Sequence, residues 1–262
     1  MRGLTNAFPN LSGGVSIDIV SWHDGTDAQI TAMIQAADAG QINLTDYWTV
    51  GDERTVQLSA MAATGVGESH AAQAVTLVLM DSTCTGFTLA SATSGGKTKP
   101  SFIVGLKNSL AEAGYMNSTK SNTNGWSGCA RRTWCNDVFR AAIPSTLRGI
   151  FKQFKWKQGL GGGSSSGLLE TTDYFGLPPE KAIFGSVSYA QSDEAALYAQ
   201  WKWYQTASNR IKKLSDTGSA GYWWGCSPYS GYSSYFCIVY SDGSAYAYTA
   251  YITHGLAPFG CI

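Results

Sequence analysis

Seven tyrosines fall in the last thirty-eight residues, at positions 229, 232, 235, 240, 246, 248 and 251, set among Ser, Ala, Gly, Thr and Ile. Tyrosine is contact chemistry. Its ring offers a large rigid area with two torsions to freeze, and its hydroxyl both donates and accepts hydrogen bonds. The same stretch, Gly225 to Ile262, contains no Lys, Glu, Gln, Met or Trp, although those five types fill about 18% of residues 1–224. They are the amino acids that no codon ending in C can encode. Such a deficit is what remains when Asn codons of the AAC type have their adenines replaced at random, so it points to the gene rather than to the fold. Cross-strand aromatic pairing over a core would account for Tyr in strands. It does not account for the missing Lys, Glu and Gln, which solvent-facing strand positions commonly carry.

Strand alternation divides this tail into two sets. Phe236, Cys237, Val239, Ser241, Gly243, Ala245 and Ala250 suit a framework. Tyr235, Ile238, Tyr240, Asp242, Ser244, Tyr246, Tyr248, Tyr251 and His254 are expected to point outward. Together with Gly225, Cys226, Tyr229, Tyr232, Thr249 and Ile252 they form the candidate ligand-binding set. An exposed aromatic cluster of this size marks an interaction surface.

Other chemistry is sparse. Six cysteines, at 84, 129, 135, 226, 237 and 261, contain no Cys-x-x-Cys pair, and His23, His70 and His254 are far apart. No metal site and no cofactor is expected. Cys237 and Cys261, beside Phe236 and Ile262, read as buried small apolar residues, and disulfide pairing stays open. His23-Asp24 and Glu68-Ser69-His70 read as solvated loop pairs. No catalytic residue is assigned.

The positioning elements follow from the remaining pattern. The chain has 262 residues and zero formal net charge, with no basic stripe, which argues against nucleic-acid binding. Its apolar runs are too short to span a membrane, and the start, MRGLTNAFPNLSGG, has no signal-type apolar region. Residues 1–44 read as a lead-in, loose over 1–14, with a helix over 28–39 carrying Ile30, Met33, Ile34 and Ala37 and ending at Gly40. Residues 45–262 read as the main domain. Within it, a hairpin is expected over 47–61 across Gly51-Asp52, a buried strand over 75–80, and helices over 107–114 and 131–142. Ser145 is expected to cap a short turn. A strand over 151–157 leads to a surface loop, GLGGGSSSG, at 159–167. Structure resumes at 178–184, and a helix over 193–204 is expected with Ser192 as its N-cap. From Tyr222 onward the chain reads as all β: a Tyr-Trp-Trp strand, a strand over 235–240, an Asp242-Gly243 turn, a strand over 244–253 and a last strand to Ile262. The fold class is α+β, with few helices on one twisted antiparallel sheet.

Taken in order, YWTVGDERTVQLSAM, ARRTWCNDVF, AIPSTL, DYFGLPPEKAIFG, GYWWGCSPY, FCIVYSDG and GLAPFGCI resemble a domain of gut bacteria and their prophages. That domain has a C-type-lectin-like fold, in the version shared with formylglycine-generating enzymes, and the resemblance covers roughly residues 45–262. The FCIVYSDG and GLAPFGCI tail is similar to the variable proteins of diversity-generating retroelements. In those systems a reverse transcriptase miscopies template adenines and the product replaces the end of the target gene.

The resemblance implies a twisted antiparallel sheet with two or more helices and a diversified region at about 225–254. It implies a receptor-binding role at a phage or prophage tail tip, or alternatively a bacterial surface adhesin. The partner would be a protein or other surface ligand on a host or neighbouring cell, with oligomerisation open. The family's Trp-x-Arg-Ser-Pro motif stands here as Trp224-Gly225-Cys226-Ser227-Pro228, with Cys226 in place of Arg. An oxidase of the formylglycine-generating type would need a reactive cysteine pair near the end of the domain. Cys226, Cys237 and Cys261 are placed for it by location only, and no Lys or Arg follows Lys213 to lower a thiol pKa. Calcium-dependent sugar binding, which lectins of this fold perform through Glu, Asn and Asp, is not expected in a tail without Glu or Asn.

Overall fold

The run from Val75 to Met80 can bury both of its faces, and the strand it forms is interior. In the computed structural model, which describes residues 17–63, 65–66 and 68–262, β2 (Gln73–Asp81) lies between β1 (Glu53–Leu58) and β4 (Ile103–Leu106). The sheet continues through β13 (Phe259–Cys261) to β7 (Phe175–Gly176), so the chain's last strand returns to an interior place in the largest sheet, between β4 and β7. A second antiparallel sheet joins β3 (Thr88–Leu89), β5 (Phe154–Gly159) and β6 (Leu168–Asp173), with GLGGGSSSG as the loop between β5 and β6. A third joins β10 (Trp223–Pro228), β11 (Tyr235–Val239) and β12 (Ala245–Thr249). A two-residue ladder pairs β8 (Lys212–Lys213) with β9 (Ala220–Gly221). The fold is α+β and every strand pair is antiparallel.

The sheets meet over an aromatic core in which Phe87, Phe154, Trp156, Trp201 and Phe259 lie at mutual ring distances of about 5 to 6 Å. The same apolar cluster runs from Trp22, Ile30 and Met33 through to Ile262. The helix α1 (Asp27–Asp38) starts at a capping box: Thr26 accepts from the Gln29 N–H while Gln29 accepts from the Thr26 N–H. It buries Ile30, Met33, Ile34 and Ala37. The lead-in expected over residues 1–14 lies outside the described residues.

Five expectations are corrected, three of them by long-range packing. The hairpin over 47–61 is absent, because β1 pairs with β2 while the Trp48 ring turns inward against Trp22 at 5.3 Å. Residues 107–114 are not helical. Their backbone is consumed by distant partners: Ser109 N–H donates to Lys213 O, Leu110 N–H to Leu256 O and Gly114 N–H to His254 O, each at 2.9 Å. The helix over 193–204 is broken into a 3₁₀ turn (Ser192–Ala196) and α6 (Lys202–Gln205), and between them the Trp201 N–H is claimed by Ala182 O at 2.9 Å instead of by a preceding helical turn. Gln191 rather than Ser192 precedes that turn, and Ser145 opens α4 (Ser145–Arg148) behind Pro144 rather than capping it. The helix over 131–142 does form, as α2 (Ala130–Trp134), a π turn (Cys135–Phe139) and α3 (Arg140–Ala142), and α5 (Glu180–Phe184) follows Pro179.

Candidate binding surface

The turn between β11 and β12 follows from its residues. Gly243 takes φ +84°, where a side chain is strained, and the Asp242 carboxylate accepts from the Ser244 N–H at 2.9 Å and hydroxyl at 2.7 Å. The loop from β10 to β11 is held from outside. Asn122, fully buried, donates through Nδ2 to the carbonyls of Tyr235 at 2.6 Å, Tyr232 at 2.9 Å and Tyr229 at 3.4 Å. Its backbone N–H donates to Ser233 O at 2.7 Å, and its Oδ1 accepts from the Gly162 N–H at 2.8 Å. Beyond β12, Ala250 O accepts from the Met116 N–H at 2.8 Å, and Gly114 and His254 exchange backbone bonds at 2.9 and 3.0 Å. In each of these ties the tail contributes only backbone atoms, so none depends on a tail side chain.

On this scaffold the tyrosine rings close a circuit. Tyr229, Tyr232 and Tyr235 touch one another, at 5.4 Å for the first pair and 5.1 Å for Tyr232 with Tyr235. Tyr235 meets Tyr248 at 6.4 Å, Tyr248 meets His254 at 5.2 Å, and His254 meets Tyr222 at 5.6 Å. Tyr222 meets Tyr240 at 4.5 Å with the rings tilted, and Tyr240 stacks on Tyr246 at 4.7 Å. Tyr246 reaches Tyr189 at 5.7 Å, which returns to Tyr229 at 5.5 Å. Tyr232 is 58% exposed, and Tyr246, Tyr248 and Tyr251 are exposed as well. Tyr229, Tyr235 and Tyr240 are half-buried, as are Thr249 and Ile252, while Asp242 and Ser244 face solvent. Tyr251 stands beside the circuit with the Lys120 ammonium 4.8 Å from its ring centre.

The surface carries little charge. Asp242 is its one carboxylate in the tail. Burial, followed by neighbouring phenols, raises the pKa of Tyr240 and Tyr189, so both keep their protons. Burial lowers His254 to about 4, leaving its imidazole neutral near pH 7.

Four residues of the candidate ligand-binding set, two of them from the expected outward set, are buried instead. Ile238 is 1% exposed because β11 is the central strand of its sheet, registered against Trp224 on one side and Tyr246 on the other. Gly225 and Cys226 lie on β10, whose residues are buried throughout. His254 is packed against Trp224 at 4.8 Å. The Cys226 thiol sits near the Glu194 carboxyl, which, after burial itself, helps to raise its pKa. Glu194 in turn accepts from the Ser227 hydroxyl at 2.5 Å and the Gly159 N–H at 2.7 Å.

The remaining chemistry is interior. All six cysteines are buried and unpaired, and burial pushes Cys226, Cys237 and Cys261 upward, the opposite of what a nucleophilic thiolate needs. His23 and Asp24 are exposed as expected. His70 is not in a solvated loop: it is buried between Glu112, at 3.0 Å, and Glu68, which also pairs with Arg131 at 2.5 Å. Among the described residues, no group of three or more His, Cys, Asp or Glu is placed to hold a metal ion, and no helix is long and apolar enough to cross a membrane.

Sequence reasoning did not single out Tyr189, Tyr222, Lys120 or Asn122. Tyr222 adjoins the tail and shares its aromatic character, a signal that could have been used. Asn122 stands in a polar run, NSTKSNTNG, where nothing marks one Asn from another. No curated protein and no solved structure matches the chain significantly. A family model described as a domain of unknown function, DUF6273, matches residues 103–262, which include both ends of the backbone grip and the whole aromatic surface, and the chain belongs to that family.

Proposed function

We propose that this chain is a ligand-recognition protein whose C-terminal surface is diversified at the gene by adenine-directed copying, on a C-type-lectin-like scaffold. Its partner is a protein on a host or neighbouring cell, and its setting a phage or prophage tail tip. One observation carries the reading. The segment that lacks every amino acid not encoded by a C-ending codon also supplies six tyrosines of the ring circuit, Tyr232, Tyr246 and Tyr248 among them exposed, and Asn122 and residues 114–117 hold it through its backbone atoms. Tyrosine with Ser and Gly is the composition of an evolved paratope. The phenols offer apolar area beside hydroxyl donors, which suits the mixed apolar and carbonyl surface of a protein. The C-type-lectin-like assignment is supported by the last strand's return to the main sheet and by the separate three-stranded sheet that presents the surface. The buried, protonated thiols weigh against an oxidase of the formylglycine-generating type.

The test is the gene. The codons for Tyr229, Tyr232, Tyr235, Tyr240, Tyr246, Tyr248 and Tyr251 should end in C, and a second copy of the segment with AAC at those places should lie near a reverse-transcriptase gene. Codons ending in T at several of these positions, with no such copy, would defeat the reading.

A further inference from the structure

Two rings in the aromatic circuit, Tyr189 and Tyr222, come from outside the segment 225–262 whose composition carries the diversification signature. Tyr189 is the more firmly held. Glu180, 1% exposed at the start of α5, accepts three consecutive backbone N–H groups through its carboxylate, from Ser188 at 3.2 Å, Tyr189 at 3.1 Å and Ala190 at 2.7 Å. The Tyr189 carbonyl accepts from the Ser230 N–H at 2.9 Å and hydroxyl at 3.1 Å. Its half-buried ring then bridges the 229–235 loop, through Tyr229, and the β12 strand, through Tyr246.

An aromatic side chain whose backbone is already pinned loses little freedom when a partner closes over it. Tyr at the centre of a patch is also a residue type on which binding energy concentrates. Resting on the recognition reading above, we infer that Tyr189 is a fixed anchor of the site: a contact with the protein partner that every tail variant shares. The tail then changes what surrounds a constant, preorganised ring, and a new variant starts with part of its affinity in place. If Tyr189 served only to space Tyr229 and Tyr246, its effect would vanish in variants lacking those two.

The experiment is a displayed library in which residues 229, 232, 235, 240, 246, 248 and 251 are varied with C-ending codons, selected separately on lysozyme, streptavidin and serum albumin. Tyr189→Ala is introduced into several binders of each probe, and the affinities are compared beside a thermal melt. The expected result is a loss of about tenfold or more for binders of all three probes, including those without Tyr at 229 or 246. Hydroxyl-radical footprinting of Tyr189 in the unsubstituted complexes reads the same contact without a substitution, and protection in all three is expected. A loss confined to binders that keep Tyr229 or Tyr246, or a Tyr189 left unprotected in the complexes, overturns the anchor and leaves the recognition reading intact. A library that yields no binder to any probe defeats the recognition reading, and the anchor with it.

Discussion

Replacing Asn122 with Ala should destabilise the protein more than removing several of the tyrosines above it. The amide makes two short bonds, to Tyr235 O at 2.6 Å and Tyr232 O at 2.9 Å, and accepts one from the Gly162 N–H at 2.8 Å. The third donation, to Tyr229 O at 3.4 Å, is long and adds little. Three well-formed buried bonds at about 1 kcal/mol each give roughly 3 kcal/mol, and the stranded carbonyls raise rather than lower that figure. Asn122→Asp should be no milder, because it keeps the acceptor for Gly162 but turns an anion toward three carbonyl oxygens. Urea unfolding is the assay: the midpoint should fall with the slope unchanged. Binding should also be lost, although Asn122 is fully buried and cannot touch a partner. A cost below about 1 kcal/mol would show that the 229–235 loop is held by its own ring stacking, and the backbone-grip argument would fail.

Changing Tyr246, Tyr248 and Tyr251, all exposed, together to Ser should cost at most about 1.5 kcal/mol in a denaturant melt, since exposed changes stay near 0.5 kcal/mol each, yet abolish binding to host cells that carry the partner; collapse of the melt would make these residues core. Binding should change less than about threefold between low and high salt, because the surface holds Asp242 and Lys120 and little other charge; a steep slope would point to a different face. The stability profile with pH has opposed contributions. Burial raises Glu194 from 4.5 to about 7, so its contribution is complete at low pH and lost as pH rises through that window, with Glu180 shifted in the same sense. Burial lowers His254 from 6.5 to about 4, so its contribution is complete at higher pH and lost as pH falls. Glu194→Gln should therefore tip the profile toward loss on acidification between pH 6.5 and 4.5, and an unchanged profile would place the Glu194 carboxyl in water.

What could be read from the sequence was local. The Val75–Met80 run, the GLGGGSSSG loop and the Asp242-Gly243 turn each act through neighbouring residues, and each took the conformation its residue types favour. The misreadings share one cause, which is pairing with distant chain. Residues 107–114 have a helical composition, but their N–H groups are claimed by residues 213, 254 and 256. Alternation put Ile238 outward because period two assumes one wet face, whereas a central strand covered by Trp224 and Tyr246 has none at that point. The candidate site was legible in its tyrosines and not in its boundary: Tyr189 enters from about forty residues upstream through Glu180, a connection that no spacing announces.

The tail faces two demands that conflict in most proteins. Its side chains must be free to change, and its backbone must stay where it is. A hairpin held by its own cross-strand side-chain pairs would lose register with each new variant. Here the load falls on groups outside the varied positions: the Asn122 amide, the backbone of residues 114–117 and, on the neighbouring loop, the Glu180 carboxylate. Cys237, Val239 and Ala247 on the opposite face of this sheet are buried. A substitution at Tyr246 or Tyr248 then alters what a partner meets without altering what holds the strand. That separation sets the order of the stability losses above, with the buried Asn costly and the exposed Tyr cheap. A protein in which those two costs were equal would have no structural means of tolerating a randomised surface.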